Sequence, residues 1–196
     1  MEILPSQEPI SFFQNWLKEA EKSELNDPEA MSLATVGDGG APSVRMVLLK
    51  GVDLAGFRFY TNGESRKARE ISRNPAAALC FHWKALGRQV RVEGRLSKLP
   101  EAEVEAYFQT RHPLSKLGAW ASRQSEPLES RAALEAKVAE YEKKFEGREI
   151  LKPPYWAGYL LNPEKIEFWQ EGKGRLHDRF LFTRKGGGWD LQRLNP

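Results

Sequence analysis

Arg175, His177 and Arg179 alternate with Leu176 and Asp178 in the run Trp-Gln-Glu-Gly-Lys-Gly-Arg-Leu-His-Asp-Arg that starts at Trp169. Alternate side chains of a strand share a face, so this run predicts three cationic or protonatable groups pointing one way. Like charges placed together repel unless an anion sits among them. The chemistry they fit is capture of a phosphorylated or carboxylated small molecule. A second basic segment, Arg45-Met46-Val47-Leu48-Leu49-Lys50, lies near the front of the chain. Arg45 and Lys50 fall on opposite faces of an ideal strand, so both reach one ligand only at a strand end or across a bulge. Surface solubilisation explains that segment equally well when it is taken alone.

Three further groups of residues have the right types for the same chemistry. Ser65-Arg66-Lys67 falls in the opening turn of a short helix expected over residues 62–74, with Asn62 as its cap. Free N–H groups, a hydroxyl and two cations there make a phosphate cradle, and cations so early run against the helix dipole. Tyr107 and Arg111 share a helix face and Ser115 follows them, so the three either hold a phosphate or close a helix end. Gln89 shares a strand face with Arg91, while Gln124-Ser125 sits in an irregular, serine-rich stretch of the kind that lines sites or caps helices. His82 and His112 have no metal-ligand companions at a recognised spacing, so no metal site is expected, and His82 reads as structural. Neither a dinucleotide-binding nor a Walker-type glycine pattern occurs, and Gly186–Gly188 reads as a hairpin turn.

The whole chain of 196 residues, 40% hydrophobic and 29% charged, is that of a soluble globular protein. We expect one domain over residues 11–196 behind a short, disordered segment at 1–10. A net charge of +3 is too small for a nucleic-acid footprint. There is no apolar run of about 18 residues to span a membrane, nor a secretory signal at the start. The single cysteine, Cys80, excludes an intrachain disulfide, fits a reducing cytoplasm and is expected to pack in the core. Six tryptophans and ten phenylalanines can fill a core, stack on a flat ligand or line a subunit interface.

The elements that must position these groups follow from periodicity. Phe12, Phe13, Trp16, Leu17 and Ala20 predict an amphipathic helix over 11–25. Runs 30–36 and 42–50 flank an Asp-Gly-Gly turn and predict a hairpin, followed by a strand at 56–61. After the short helix, whose Ala68, Ile71 and Ser72 should face inward, strands are expected at 76–83 and 88–96. A helix should start at Pro100 and run to about Thr110, and residues 113–127 show no clear period. The longest helix is expected over 128–145, with Leu134, Val138, Tyr141 and Phe145 along one stripe. Strand candidates at 156–161, 165–170, 176–182 and 189–194 complete about seven or eight short strands, whose tight connections favour antiparallel barrel closure. The fold class is therefore mostly β with helices, without the regular βα alternation of a doubly wound sheet.

Taken in order, these pieces resemble the pyridoxamine 5'-phosphate oxidase family. The likeness is carried by Arg45–Lys50, Phe59-Tyr60-Thr61-Asn62, Ser65-Arg66-Lys67, Arg88-Gln89-Val90-Arg91 and Tyr107-Phe108. It continues through Gly118-Ala119-Trp120-Ala121-Ser122, Gln124-Ser125, Ile166-Glu167-Phe168-Trp169-Gln170 and Arg175-Leu176-His177-Asp178-Arg179. The resemblance implies an antiparallel Greek-key split β-barrel that binds FMN and forms a homodimer with two FMN sites across its interface. It implies oxidation of pyridoxamine or pyridoxine 5'-phosphate to pyridoxal 5'-phosphate, with O2 reduced to H2O2. By the family pattern, Arg45, Arg66 and Lys67 meet the FMN phosphate and ribityl chain, with Ser65 nearby. Lys50, Tyr60, Thr61, Gln89, Gln124, Ser125, Trp169 and Arg179 complete the flavin environment from both subunits. Lys50, Tyr107, Arg111 and Ser115 grip the substrate phosphate, and the catalytic pair Arg175 and His177 sits over the pyridine ring.

This chain departs from that pattern at four places. The ten residues before Ser11 carry no Arg, Lys or Tyr, where the family often has a basic, tyrosine-containing segment, so weaker closure over the substrate is expected. His112 separates Arg111 from Pro113, Gly63 replaces a bulkier residue, and Leu160 replaces a frequently basic one. The alternatives are a flavin reductase or other FMN oxidoreductase on the same barrel, and a non-catalytic FMN or pyridoxal-phosphate carrier. Retention of Tyr107, Arg111, Ser115, Arg175 and His177 argues against a reductase, which needs no second anion site.

Overall fold

Two residues, Leu49 and Lys50, separate the strands that stand at the two ends of the sheet, and this short link dictates the architecture. The computed structural model describes residues 8–196. Most of the expected disordered segment therefore lies outside the described residues, and its end, Pro9 and Ile10, belongs to the first helix instead. The elements are α1 (Pro9–Ser23), β1 (Ala30–Val36), β2 (Pro42–Leu48), β3 (Gly51–Asp53), β4 (Gly56–Asn62), α2 (Arg66–Arg73), β5 (Ala76–Trp83) and β6 (Arg88–Lys98). They continue with α3 (Glu101–Gln109), α4 (Pro113–Ala121), α5 (Arg131–Lys144), β7 (Trp156–Gln170), β8 (Asp178–Lys185) and β9 (Gly188–Leu194). The strands form a sheet in the order β2-β1-β5-β6-β7-β4-β3, with β8 and β9 extending from β7, and each pairing is antiparallel.

Because β3 follows β2 after so short a link, the sheet must curl until its two ends meet. The Lys50 N–H donates to Arg58 O on β4 at 2.8 Å, which fixes the junction. The interior is aromatic: Phe13, Phe57, Phe59, Phe81, Phe168 and Phe182 are fully buried. Helix α1 plugs one end, with Phe13 edge-on to Phe57 at 4.9 Å and Phe12 edge-on to Phe168 at 4.7 Å. Pro9 suits the first turn, where its missing N–H costs nothing, and the Glu8 carboxylate caps the helix by accepting from Ser11 N at 2.7 Å.

Several local expectations need correction. The candidates at 156–161 and 165–170 are one continuous strand, β7. Pro163 does not break it because it lies opposite Gly94 at a register shift, one of the few sheet positions that tolerates proline. A Cβ at Gly94 would lie 2.1 Å from Asn162 O, so only glycine permits that approach. Residues 113–121 are helical, and β3 is a strand too short to show a period. Helix α5 has 14 residues to the 15 of α1 and buries none of them; its expected stripe is only half-buried. Ser65 rather than Asn62 stands at the N-cap of α2, and Ser72 is exposed. Cys80 is half-buried on the outer face of β5 and His82 is exposed, so neither is a core residue. Among the described residues, no helix is long and apolar enough to cross a membrane.

Candidate functional site

The open seam between β2 and β4 holds a cavity of about 470 Å³. Arg45, Met46, Val47 and Leu48 of β2 form one wall, Tyr60 and Thr61 of β4 the other, and Lys50 the corner. Lys67 of α2, Tyr107 of α3, Arg111, Gln124 and Trp156 complete the lining. Strand β2 ends at Leu48, so Lys50 lies beyond the strand and reaches the same space as Arg45 without a bulge.

The network behind the cavity is built on one buried carboxylate. Glu70 Oε2 accepts from Thr35 Oγ1 at 2.5 Å, Ser43 Oγ at 2.6 Å and Arg45 Nη2 at 3.2 Å. Its Oε1 accepts from Arg66 Nε at 2.8 Å. Burial pushes the Glu70 carboxyl up, but the hydrogen bonds from Ser43, Thr35 and Arg66 outweigh it and hold the group at about 2. Arg45 also donates to Leu33 O at 3.1 Å and to Thr35 Oγ1 and Ser43 Oγ. One carboxylate thus fastens β1, β2 and the first turn of α2 into a single cationic wall.

Lys67 stands apart because its direct partners are neutral oxygens. Nζ donates to Gln124 Oε1 at 2.7 Å, Thr61 Oγ1 at 3.1 Å and Ser65 Oγ at 3.4 Å. Burial, with Arg45 adding to it, pushes this ammonium down to about 8. Ser125, held at a φ of 74°, presents its hydroxyl to the Arg66 N–H at 3.1 Å and so closes the start of α2. Arg111 is a second cation of the cavity that pairs with no carboxylate among the described residues. It lies over the Trp156 ring at 4.2 Å and farther from Phe108 at 5.6 Å, and its Nη1 is buried without a hydrogen bond. Burial lowers its pKa from the usual guanidinium range. Tyr60 and Tyr107 stack at 3.7 Å and both line the cavity, giving it an aromatic wall. Lys50, in contrast, pairs with Glu29 at 3.3 Å.

The remaining expected residues form a second cluster at the far end of β7. Gln89 faces Trp169 across β6 and β7, and Trp169 faces Arg179 across β7 and β8. Glu167 is a buried carboxylate here: its Oε1 accepts from Arg179 Nε at 2.8 Å, and its Oε2 pairs with Arg91. The His177 ring lies 4.6 Å from Trp169, and its Nδ1 accepts from Gly172 N at 3.2 Å. Arg175, His177 and Arg179 do not share a strand face. Arg175 lies in a short 3₁₀ turn over Lys173–Arg175 at a φ of 65°, and β8 starts only at Asp178. Gly172 and Gly174, on either side of Lys173, let the chain turn before the strand begins.

Within one chain the two clusters stay apart. Gly158, opposite Tyr60, and Trp169 lie on the same strand, separated by about 36 Å of contour at ~3.3 Å per residue. Ser115 is exposed on α4 and is absent from the cavity lining. Sequence reasoning missed Thr35, Ser43, Glu70 and Trp156 in the first cluster and Glu167 in the second. A glutamate four residues after Arg66 was the one readable hint of the Glu70 pair. The others act through tertiary contacts that no local pattern encodes. Among the described residues, no group of His, Cys, Asp or Glu could hold a metal ion.

Comparison with known proteins follows this geometry closely. The model of the pyridoxamine 5'-phosphate oxidase family matches residues 17–145, and that of the pyridoxine 5'-phosphate oxidase C-terminal dimerisation region matches residues 156–196. A pyridoxine/pyridoxamine 5'-phosphate oxidase of Anaeromyxobacter dehalogenans is 55% identical over 189 residues, 96% of each chain. Another, of Rubrobacter xylanophilus, is 55% identical and covered over 87% of its length by 96% of this chain. PhzG from Burkholderia lata, solved with tetrahydrophenazine-1-carboxylic acid, superposes with a TM-score of 0.92 at 32% identity, covering 100% of this chain and 99% of its own. An FMN-binding protein of Nostoc punctiforme related to pyridoxamine 5'-phosphate oxidase shares the fold at a TM-score of 0.76 and 20% identity, with 100% of both chains covered. The curled antiparallel sheet is thus the split β-barrel of this group.

Proposed function

The chain belongs to the pyridoxamine 5'-phosphate oxidase family, and on that premise we propose that it is an FMN-dependent oxidase acting on pyridoxine or pyridoxamine 5'-phosphate as a homodimer. One observation carries this reading: a single cavity is lined by two cations, Lys67 and Arg111, that touch no carboxylate among the described residues, and by a stacked tyrosine pair. Two phosphates and a flat ring system fit that arrangement. FMN brings one phosphate and the substrate the other.

The residues present suit the cofactor. Lys67 and the opening N–H groups of α2 beyond Arg66 supply donors for a phosphate dianion, while Arg45, anchored on Glu70, adds positive field behind them. Gln124, Thr61 and Ser65 hold Lys67 in place through neutral oxygens, which a bound phosphate does not have to displace as rivals in charge. The bound flavin supplies the capacity to accept a hydride from the substrate C4' and pass electrons to O2, yielding H2O2. Arg111, Tyr107 and Lys50 hold the substrate phosphate. Orientation against the flavin then contributes much of the rate enhancement.

The second cluster completes the site from the other subunit. Gln89, Trp169 and Arg179 approach the flavin, while Arg175 and His177 lie over the pyridine ring. His177 Nδ1 accepts the Gly172 N–H, which leaves Nε2 to face the ligand. The match of residues 156–196 to a dimerisation region supports this division between copies.

Anaerobic mixing of the FMN-loaded protein with pyridoxine or pyridoxamine 5'-phosphate tests the reaction. Flavin absorbance is expected to bleach, and admitting air to restore it with release of pyridoxal 5'-phosphate and H2O2. An FMN-loaded protein that stays oxidised with both compounds contradicts the reading. The whole-chain likeness to PhzG adds one contrast arm, a reduced tricyclic carboxylate. Bleaching by that compound alone assigns the second cationic position to a carboxylate.

A further inference from the structure

Arg111 is held differently from the other cations of the cavity. Arg45 is anchored by Glu70 at 3.2 Å and Lys50 by Glu29 at 3.3 Å. Among the described residues Arg111 pairs with no carboxylate and lies over ring faces, with Trp156 at 4.2 Å as the nearer one. The distinction has a physical consequence. A carboxylate orients a guanidinium by occupying its N–H donors and cancelling its charge, whereas a ring face orients it and leaves the in-plane donors free.

Trp156 is fixed without polar help. Its Nε1 is buried with no hydrogen-bond partner, and the ring packs edge-on to Phe108 at 5.7 Å. It opens β7 opposite Asn62, where β4 meets the start of α2, so the sheet sets its position. We propose that Trp156 is the positioning residue of the substrate-phosphate grip, holding Arg111 toward the cavity by stacking while keeping its donors available. This role rests on the substrate reading given above. The class of ligand is a phosphate monoester attached to a planar ring.

The test is equilibrium binding to the FMN-loaded protein of a pyridoxine 5'-phosphate analogue lacking the 4' oxygen, which cannot be oxidised. The unphosphorylated analogue is titrated in parallel. Trp156→Leu is expected to weaken the phosphorylated analogue about tenfold, within the reach of a partly desolvated cation–π contact, and to leave the unphosphorylated one within about twofold. Trp156→Phe, which keeps a ring face, should recover most of the lost affinity. In turnover the same change should appear in KM rather than kcat. FMN retention and Tm, measured for each variant, separate this effect from loss of fold. Unchanged affinity in Trp156→Leu overturns the proposal, as does an equal loss for both analogues or failure of Phe to rescue. A wild-type protein that holds FMN but binds neither analogue overturns the substrate reading, and this role with it.

Discussion

At the scale of single residues, the site is a problem in charge. Lys67 and Glu70 are both buried; hydrogen bonds hold Glu70 ionised, whereas burial works against the charge on Lys67. For Lys67 the margin is small, since its pKa falls from 10.5 to about 8. A bound phosphate favours the ammonium form, so binding above that pH must take up a proton. FMN affinity should therefore be steady between about 6.5, above the second phosphate pKa, and neutrality, and weaken as pH rises through about 8, read by flavin fluorescence. Lys67→Arg should flatten that dependence. Stability of the cofactor-free protein runs the other way: between about 8 and 10.5 the unfolded chain holds more protons, so raising the pH relieves the burial penalty. The basic motifs themselves were readable in the sequence, because cations at helix starts and in paired runs are unusual. Glu70, Thr35 and Ser43 were not, because each is an ordinary polar residue until β1, β2 and α2 pack together.

At the scale of elements, most helices and strands follow from hydrophobic period, and the exceptions have local causes. Phe57 and Phe59 on one face of β4, and Leu79 and Phe81 on β5, are fully or almost fully buried as alternation predicts. Helix α4 escaped notice because it buries only Leu117 and Ala121, too few to mark a stripe. His112 caps it, its Nδ1 accepting from Leu114 N at 3.3 Å, which gives the residue between Arg111 and Pro113 a structural role. Strand β7 reads in the sequence as two candidates, 156–161 and 165–170, with Pro163 in the gap between them. Its continuity depends on Gly94, whose missing side chain admits the Asn162 carbonyl. Gly94→Ala should cost about 1–3 kcal/mol through overpacking, measured by urea denaturation. An unchanged midpoint would mean that the strand passes Gly94 with room to spare. Since β7 carries residues of both clusters, the same variant should also lower FMN affinity.

At the scale of the whole molecule, the barrel keeps the two clusters apart, so on the proposed reading a complete site needs two copies. The Lys67 and Arg111 cavity lies along the β2–β4 seam, and Trp169, His177 and Arg179 lie toward the other end of β7. Val44, Met46 and Leu48 of β2 are 68%, 62% and 39% exposed, an apolar stripe that runs into the cavity wall and that a second copy would cover on the proposed reading. In a two-fold dimer each copy can lend its far cluster to the cavity of the other, giving two equal sites. Hybrid dimers test this claim most directly. Lys67→Met and Arg179→Ala proteins, each nearly inactive alone, are unfolded together, refolded and assayed with pyridoxine 5'-phosphate. Random pairing places one intact site in each mixed dimer, so about a quarter of wild-type activity should return. No recovery despite confirmed mixed dimers would contradict the account and place both clusters in one subunit's site.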